Sequence, residues 1–103
     1  MKEVIGGKIY NTETATWIEG HWNGLGENDF NHCREELYRK RTTGEYFLYG
    51  EGGASSRWGE NVPSGGWCEG AGILPLTDAE ALEWAEQYMA ADDIIELFEI
   101  TEE

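Results

Sequence analysis

At Thr77 the chain changes period, and this most constrains its fold. Before that point the apolar residues sit in short runs rich in β-branched and aromatic side chains. After it they recur at helical spacing. "TDAE" places Thr77 as an N-cap with Glu80 three residues on, the pattern of a capping box, and Asp78 adds negative charge where the helix dipole favours it. Ala81, Leu82, Ala85, Tyr88 and Met89 then share one face at 100° per residue, with Glu80, Glu83, Glu86 and Gln87 opposite. A second short helix is expected after a cap at Asp92 or Asp93, with Ile94, Leu97 and Phe98 turned inward and Glu96, Glu99, Glu102 and Glu103 outward.

The preceding segments read as strands. In "GKIYNTETATWIEGHW", Ile9 and Tyr10 lie in a first strand, Asn11 to Glu13 suit a turn, and Thr16, Trp17, Ile18 and Trp22 lie in a second. A polar loop, "NGLGENDFN", follows. "CREELYRKR" and "EYFLYGE" form the next pair, joined by "TTG", in which Gly44 can take positive φ. Alternation puts Arg39 and Arg41 on one face and Tyr38 and Lys40 on the other, so the bases make no single patch; Glu35, Glu36 and Glu45 are their expected cross-strand partners. "AGILPLT" is a last strand, and Pro75 places it at an edge or at a strand's end. The expected fold is α+β: an antiparallel sheet of four to five strands with one or two C-terminal helices packed on one face, in a single domain of 103 residues.

Residues 50–70, "GEGGASSRWGENVPSGGWCEG", lack periodicity and form an unusually long connection, the kind that is often functional. The glycines do not make a phosphate-binding loop, which needs a Lys before its Ser or Thr, and there is no G-x-S-x-G elbow. They suit tight turns or bulges. Arg57, Trp58 and Trp67 are candidates either for contact with a partner or, for the tryptophans, for the core.

Charge narrows the function classes. The chain carries 21 Asp and Glu against 7 Lys and Arg, a net charge of -14, and every base precedes residue 58. Ten of the acids follow residue 76. Such a chain is a poor binder of free DNA or RNA, which needs clustered bases, and is drawn to cationic surfaces. No run approaches the roughly 18 apolar residues of a membrane span, and the first residues lack the apolar region of a signal peptide, so a cytoplasmic protein is expected. Cys33 and Cys68 then read as small buried or half-buried thiols. With His21 and His32 they would supply four zinc ligands, but neither a CxxC nor an HxxxH pair is present, and no metal or cofactor is expected. His21 and His32 are the candidate acid and base were the protein a nuclease.

Three segments, "KIYNTETATWI", "ELYRKRTTGEYFLYGEGGASSRWG" and "ILPLTDAEALEWAEQY", resemble a group of small proteins carried by phages, plasmids and conjugative elements of Gram-positive bacteria. The shared pattern runs Y-N-T-x-T-A, then L-Y-R and G-x-Y-F-L-x-G-x-G-G-A-x-S, then P-L-T-x-x-E-A-x-x-W. Some members of that group look like anti-CRISPR proteins directed against the type II effector nuclease and its guide RNA. The resemblance implies that effector, with or without its guide RNA, as the partner. It implies either binding that blocks guide loading or nucleic-acid entry, or degradation of the guide. It carries no site residues over. Combined with the charge split, it points to a binding inhibitor whose contact surface is Glu80, Glu83, Glu86, Asp92, Asp93 and Glu96 with Arg57 and Trp58 of the long connection; the alternatives are a nuclease that degrades guide RNA and a non-enzymatic interaction module of a mobile element.

Overall fold

The computed structural model describes residues 1–26, 28–63 and 65–102. Glu103, part of the expected acidic surface, lies outside the described residues. The centre is a four-stranded antiparallel sheet of β3 (Thr16–Trp22), β4 (Cys33–Arg39), β5 (Tyr46–Gly52) and β8 (Gly70–Leu76), in that order. Two helices, α1 (Asp78–Tyr88) and α2 (Ala91–Phe98), follow it. This is the expected α+β architecture.

β5 is an inner strand covered on both faces, which explains why "YFLY" is a continuous apolar run rather than an alternating one. Tyr46 and Leu48 face the helices and join Leu37, Ala81 and Trp84 in one core. Phe47 points the other way and packs with Tyr10, Ala15 and Ile73. Tyr10 meets Phe47 edge-on, with ring centroids 5.5 Å apart, and Tyr38 stacks on it at 5.4 Å.

Tyr10 comes from an element that sequence reasoning misplaced. The strand around Ile9 was expected to turn back onto residues 16–22. Instead β2 (Lys8–Asn11) pairs with an earlier strand, β1 (Lys2–Ile5), and β3 pairs with β4. The cause is the Gly6–Gly7 pair. Both residues have positive φ, 60° and 80°, and close the two-residue turn that matches strand twist. The resulting hairpin covers the sheet face opposite the helices.

The other turn behaves as expected: Gly44 takes φ 75°, and Lys40 N–H donates to the Glu45 carbonyl at 2.8 Å. The bases beside it divide by face. Lys40 sits over the Tyr10 ring at 3.8 Å and lies 3.5 Å from Glu45, whereas Arg39 lies over Tyr46 on the helix side. β8 is an edge strand, as Pro75 indicated. Pro75 offers no N–H there, and the Ile73 N–H is taken by the Glu3 carboxylate at 3.0 Å. Both features blunt the edge against further pairing.

Part of the connection between residues 50 and 70 forms regular strands. β5 continues to Gly52, and β6 (Glu60–Asn61) pairs with β7 (Trp67–Cys68) around Gly65 and Gly66, both at positive φ. In α1 the buried residues are Ala81, Trp84 and Ala85, while Leu82 and Met89 are half-buried and Tyr88 is more exposed. Trp84, missing from the expected inward face, is at its centre. α2 begins two to three residues earlier than expected, with Ala90 as N-cap and no side-chain cap bond. Asp92 and Asp93 are therefore first-turn residues, where they favour the helix dipole without capping. No described helix is long and apolar enough to cross a membrane.

The capping box at α1 is complete. Glu80 N–H donates to Thr77 Oγ1 at 3.1 Å, and Thr77 N–H donates to Glu80 Oε1 at 2.9 Å. The backbone donor holds the Glu80 carboxyl below its ordinary value of 4.5. Its contribution to stability is thus complete above that ordinary value and is lost as pH falls through the lowered one. Thr77→Ala should cost about 1 kcal/mol in urea unfolding at neutral pH. In Thr77→Ala the part of the pH dependence below 4.5 that comes from Glu80 should shrink but persist, because the residue-77 N–H still donates to the carboxylate and only the smaller side-chain contribution is lost.

Candidate functional site

Alternation along β4 turns Cys33, Glu35, Leu37 and Arg39 toward the helices. Glu35 is only 4% exposed. A lone buried carboxylate would be costly, and here it is met by two hydrogen-bond donors and one guanidinium. Trp58 Nε1 donates to Oε2 at 2.7 Å, and Trp84 Nε1 donates to Oε1 at 3.0 Å. Arg57 Nη1 lies 3.4 Å from Oε2 and leaves half of its side chain exposed. One strand, one loop and one helix thus meet at a single side chain.

The loop is shaped for this contact. Gly53 N–H donates to the His32 carbonyl at 2.9 Å, and Ser55 N–H to the Phe30 carbonyl at 2.7 Å. Ser56 Oγ donates to the Gly53 carbonyl at 2.8 Å and accepts from Trp58 N–H at 3.2 Å. The Trp58 ring then lies flush on Gly50, where an added Cβ would sit 1.9 Å from it. Gly50 therefore provides the close approach that lets the indole reach Glu35.

Cys33 lies two positions along the same face. Burial, and then the charge of Glu35, push its thiol above the ordinary value. It therefore stays protonated at neutral pH, a poor nucleophile and a poor metal ligand. Both cysteines are free and half-buried. Among the described residues no group of three or more His, Cys, Asp and Glu side chains could hold a metal ion.

The two histidines are held by separate contacts. His21, on β3, stacks on Tyr88 of α1 at 3.9 Å. His32, buried in the loop before β4, hydrogen bonds through Nδ1 to the Leu25 carbonyl at 2.8 Å, which makes Nδ1 the protonated nitrogen. It lines a cavity of about 530 Å³ with Glu51, Glu60 and Glu69.

Of the residues expected to contact a partner, Glu80, Glu83, Glu86, Asp92, Asp93 and Glu96 are all exposed. Among the described residues, every ion pair uses Glu35, Glu36, Glu45 or Glu51, so none of the carboxylates after residue 76 is paired. Glu80 is the one with a structural task, the cap. Arg57 and Trp58 serve the Glu35 cluster. On the same connection it is Trp67 that is more than half exposed, as are Trp17 on β3 and Trp22 at its end. Sequence reasoning treated Glu35 only as a cross-strand partner for a base. The available signal was its place between Cys33 and Leu37 on the inward side of the strand.

Comparison with protein-family models, with curated proteins and with solved structures finds no match.

The cluster predicts specific losses. Glu35→Gln opposes an amide NH₂ to one of the indole donors and removes the charge facing Arg57. It should lower stability by about 1.5–3 kcal/mol in urea unfolding and change the Trp58 emission. Gly50→Ala should cost about 1–3 kcal/mol by displacing the Trp58 ring.

Proposed function

We propose that this protein is a non-enzymatic inhibitor of the anti-CRISPR kind, acting in the bacterial cytoplasm. It presents the acidic surface of α1 and α2 to the cationic channel of a type II effector nuclease, and so interferes with guide-RNA loading or nucleic-acid entry. The observation that carries this reading is the state of the C-terminal carboxylates. Glu83, Glu86, Asp92, Asp93 and Glu96 stand exposed and without ion pairs in a stretch that holds no Lys or Arg.

The physical argument is complementarity. The effector holds its guide–target duplex in a positively charged channel and recognises it by its backbone charge and shape. A folded surface with unneutralised carboxylates competes for the same cations. α1 is already anchored through Trp84, Tyr88 and the Thr77 cap, and α2 rests on the core through Leu97 and Phe98. Long-range attraction of this kind raises association rates by ~10–10³ and weakens with salt. The choice of the type II effector as target rests on the resemblance of the three sequence segments described above.

Purified protein should bind the guide-free effector, with affinity that falls steeply as ionic strength rises. Glu83→Lys with Glu86→Lys should weaken binding by about tenfold or more, or ~1.4 kcal/mol and upward, with an unchanged thermal midpoint. Glu80 stays untouched because it caps α1. Absence of binding at low salt, or full affinity in the double variant, contradicts the proposal. In an effector cleavage assay, guide RNA should remain full-length on a denaturing gel; shortened guide would instead favour a nuclease, with His21 or His32 as the residues to replace.

A further inference from the structure

We propose that the groove between β3 and α2 seats a basic amphipathic protein segment, in which lysines or arginines flank aliphatic side chains at helical spacing. This deepens the function proposed above, and rests on it, by naming the part of a partner that the acidic surface takes.

The first observation is incomplete burial. α2 is amphipathic, with Ile94, Leu97 and Phe98 on one side and Asp92, Asp93 and Glu96 on the other. Yet none of its residues is buried, and Ile94, Leu97 and Phe98 are only half-buried. A short helix draws its stability from packing an apolar face, and this one packs that face only in part. Beside it runs a groove of about 560 Å³ whose apolar lining is Ile18, Met89 and Leu97, all half-buried. Aliphatic side chains from a partner would complete this packing.

The second observation selects the partner's charge. Asp93, Glu96 and Glu99 line the same groove and are exposed, so the charges stand at its rim. Arg39 also lines it but does not neutralise them. Its Nε donates to the Gly44 carbonyl at 3.1 Å and its guanidinium lies over the Tyr46 ring. An apolar floor with an acidic rim fits a cationic helix in a groove. Nucleic acid would be repelled by the rim, and a small polyamine would leave the floor unfilled.

Glu99 also supplies a clean variant. It closes α2 in the left-handed conformation, φ 54° and ψ 42°, which Gly adopts without strain. Glu99→Gly therefore removes a rim charge while keeping the backbone.

The test uses two short synthetic peptides of one composition, Lys, Arg and Leu. In one the leucines fall on a single face at i and i+4, and in the other they are dispersed. The first should bind and shift the methyl resonances of Ile18, Met89 and Leu97, and the dispersed peptide should bind about tenfold more weakly. Glu96→Gln with Glu99→Gly should weaken binding of the first peptide by a similar factor with no loss of thermal midpoint. Equal binding of both peptides, shifts elsewhere than the groove, or undiminished affinity in the double variant overturns the inference. The effector separates the two proposals. If the peptide seats in the groove but the effector is not bound, the function fails and the groove stands. If the groove variant binds effector fully while Glu83→Lys with Glu86→Lys does not, the groove inference fails and the function stands.

Discussion

The Glu35 carboxylate accepts a hydrogen bond from the indole of Trp58 on one oxygen and from that of Trp84 on the other. The three residues lie on a strand, a loop and a helix, separated in sequence by 23 and 49 positions. Trp84 brings α1 down onto the sheet beside Leu37 and Leu48. Trp58 draws the loop after β5 back across Gly50. Arg57 caps the charge from the solvent side. Removing either donor would leave a buried anion short of partners, while removing the carboxylate would leave two buried donors unsatisfied. This carboxylate therefore fixes the position of α1 directly and, through α1, the position of α2.

That placement bears on the charge distribution. The sheet and its turns pair several of their acids with bases: Arg34 lies 3.5 Å from both Glu36 and Glu51, and Glu45 lies near Lys8 and Lys40. The helices have no bases with which to do the same. Anchoring α1 by buried tryptophan, capping and aromatic stacking leaves the carboxylates of its outer face without a structural role, Glu80 excepted. The separation of a partly compensated sheet from an uncompensated helical surface is the physical basis of the proposed inhibition.

Much of this fold was legible because local rules agreed with one another. The "LYRKRTTGEYFLYG" hairpin combined strand propensity, alternation and a turn glycine, and the helix start was written in Thr77 and Glu80. Pro75 marked the edge. What stayed hidden depended on distant partners or on a competing turn. β1 escaped because the Gly6–Gly7 turn captured Ile9 and Tyr10 for a hairpin with the first residues. Glu35 is one of 21 acids, and only the arrival of two remote indoles distinguishes it. The groove beside α2 is lined by residues from the end of that helix and from the register shift in β3 at Ile18, neither of which has a local signature.

Hydrogen–deuterium exchange of the protein, alone and with purified type II effector at low salt, probes the proposed surface most directly. The account predicts new protection over residues 83–99, with the β1–β2 hairpin on the opposite face unchanged. Protection confined to that hairpin, or none on either face, would contradict it.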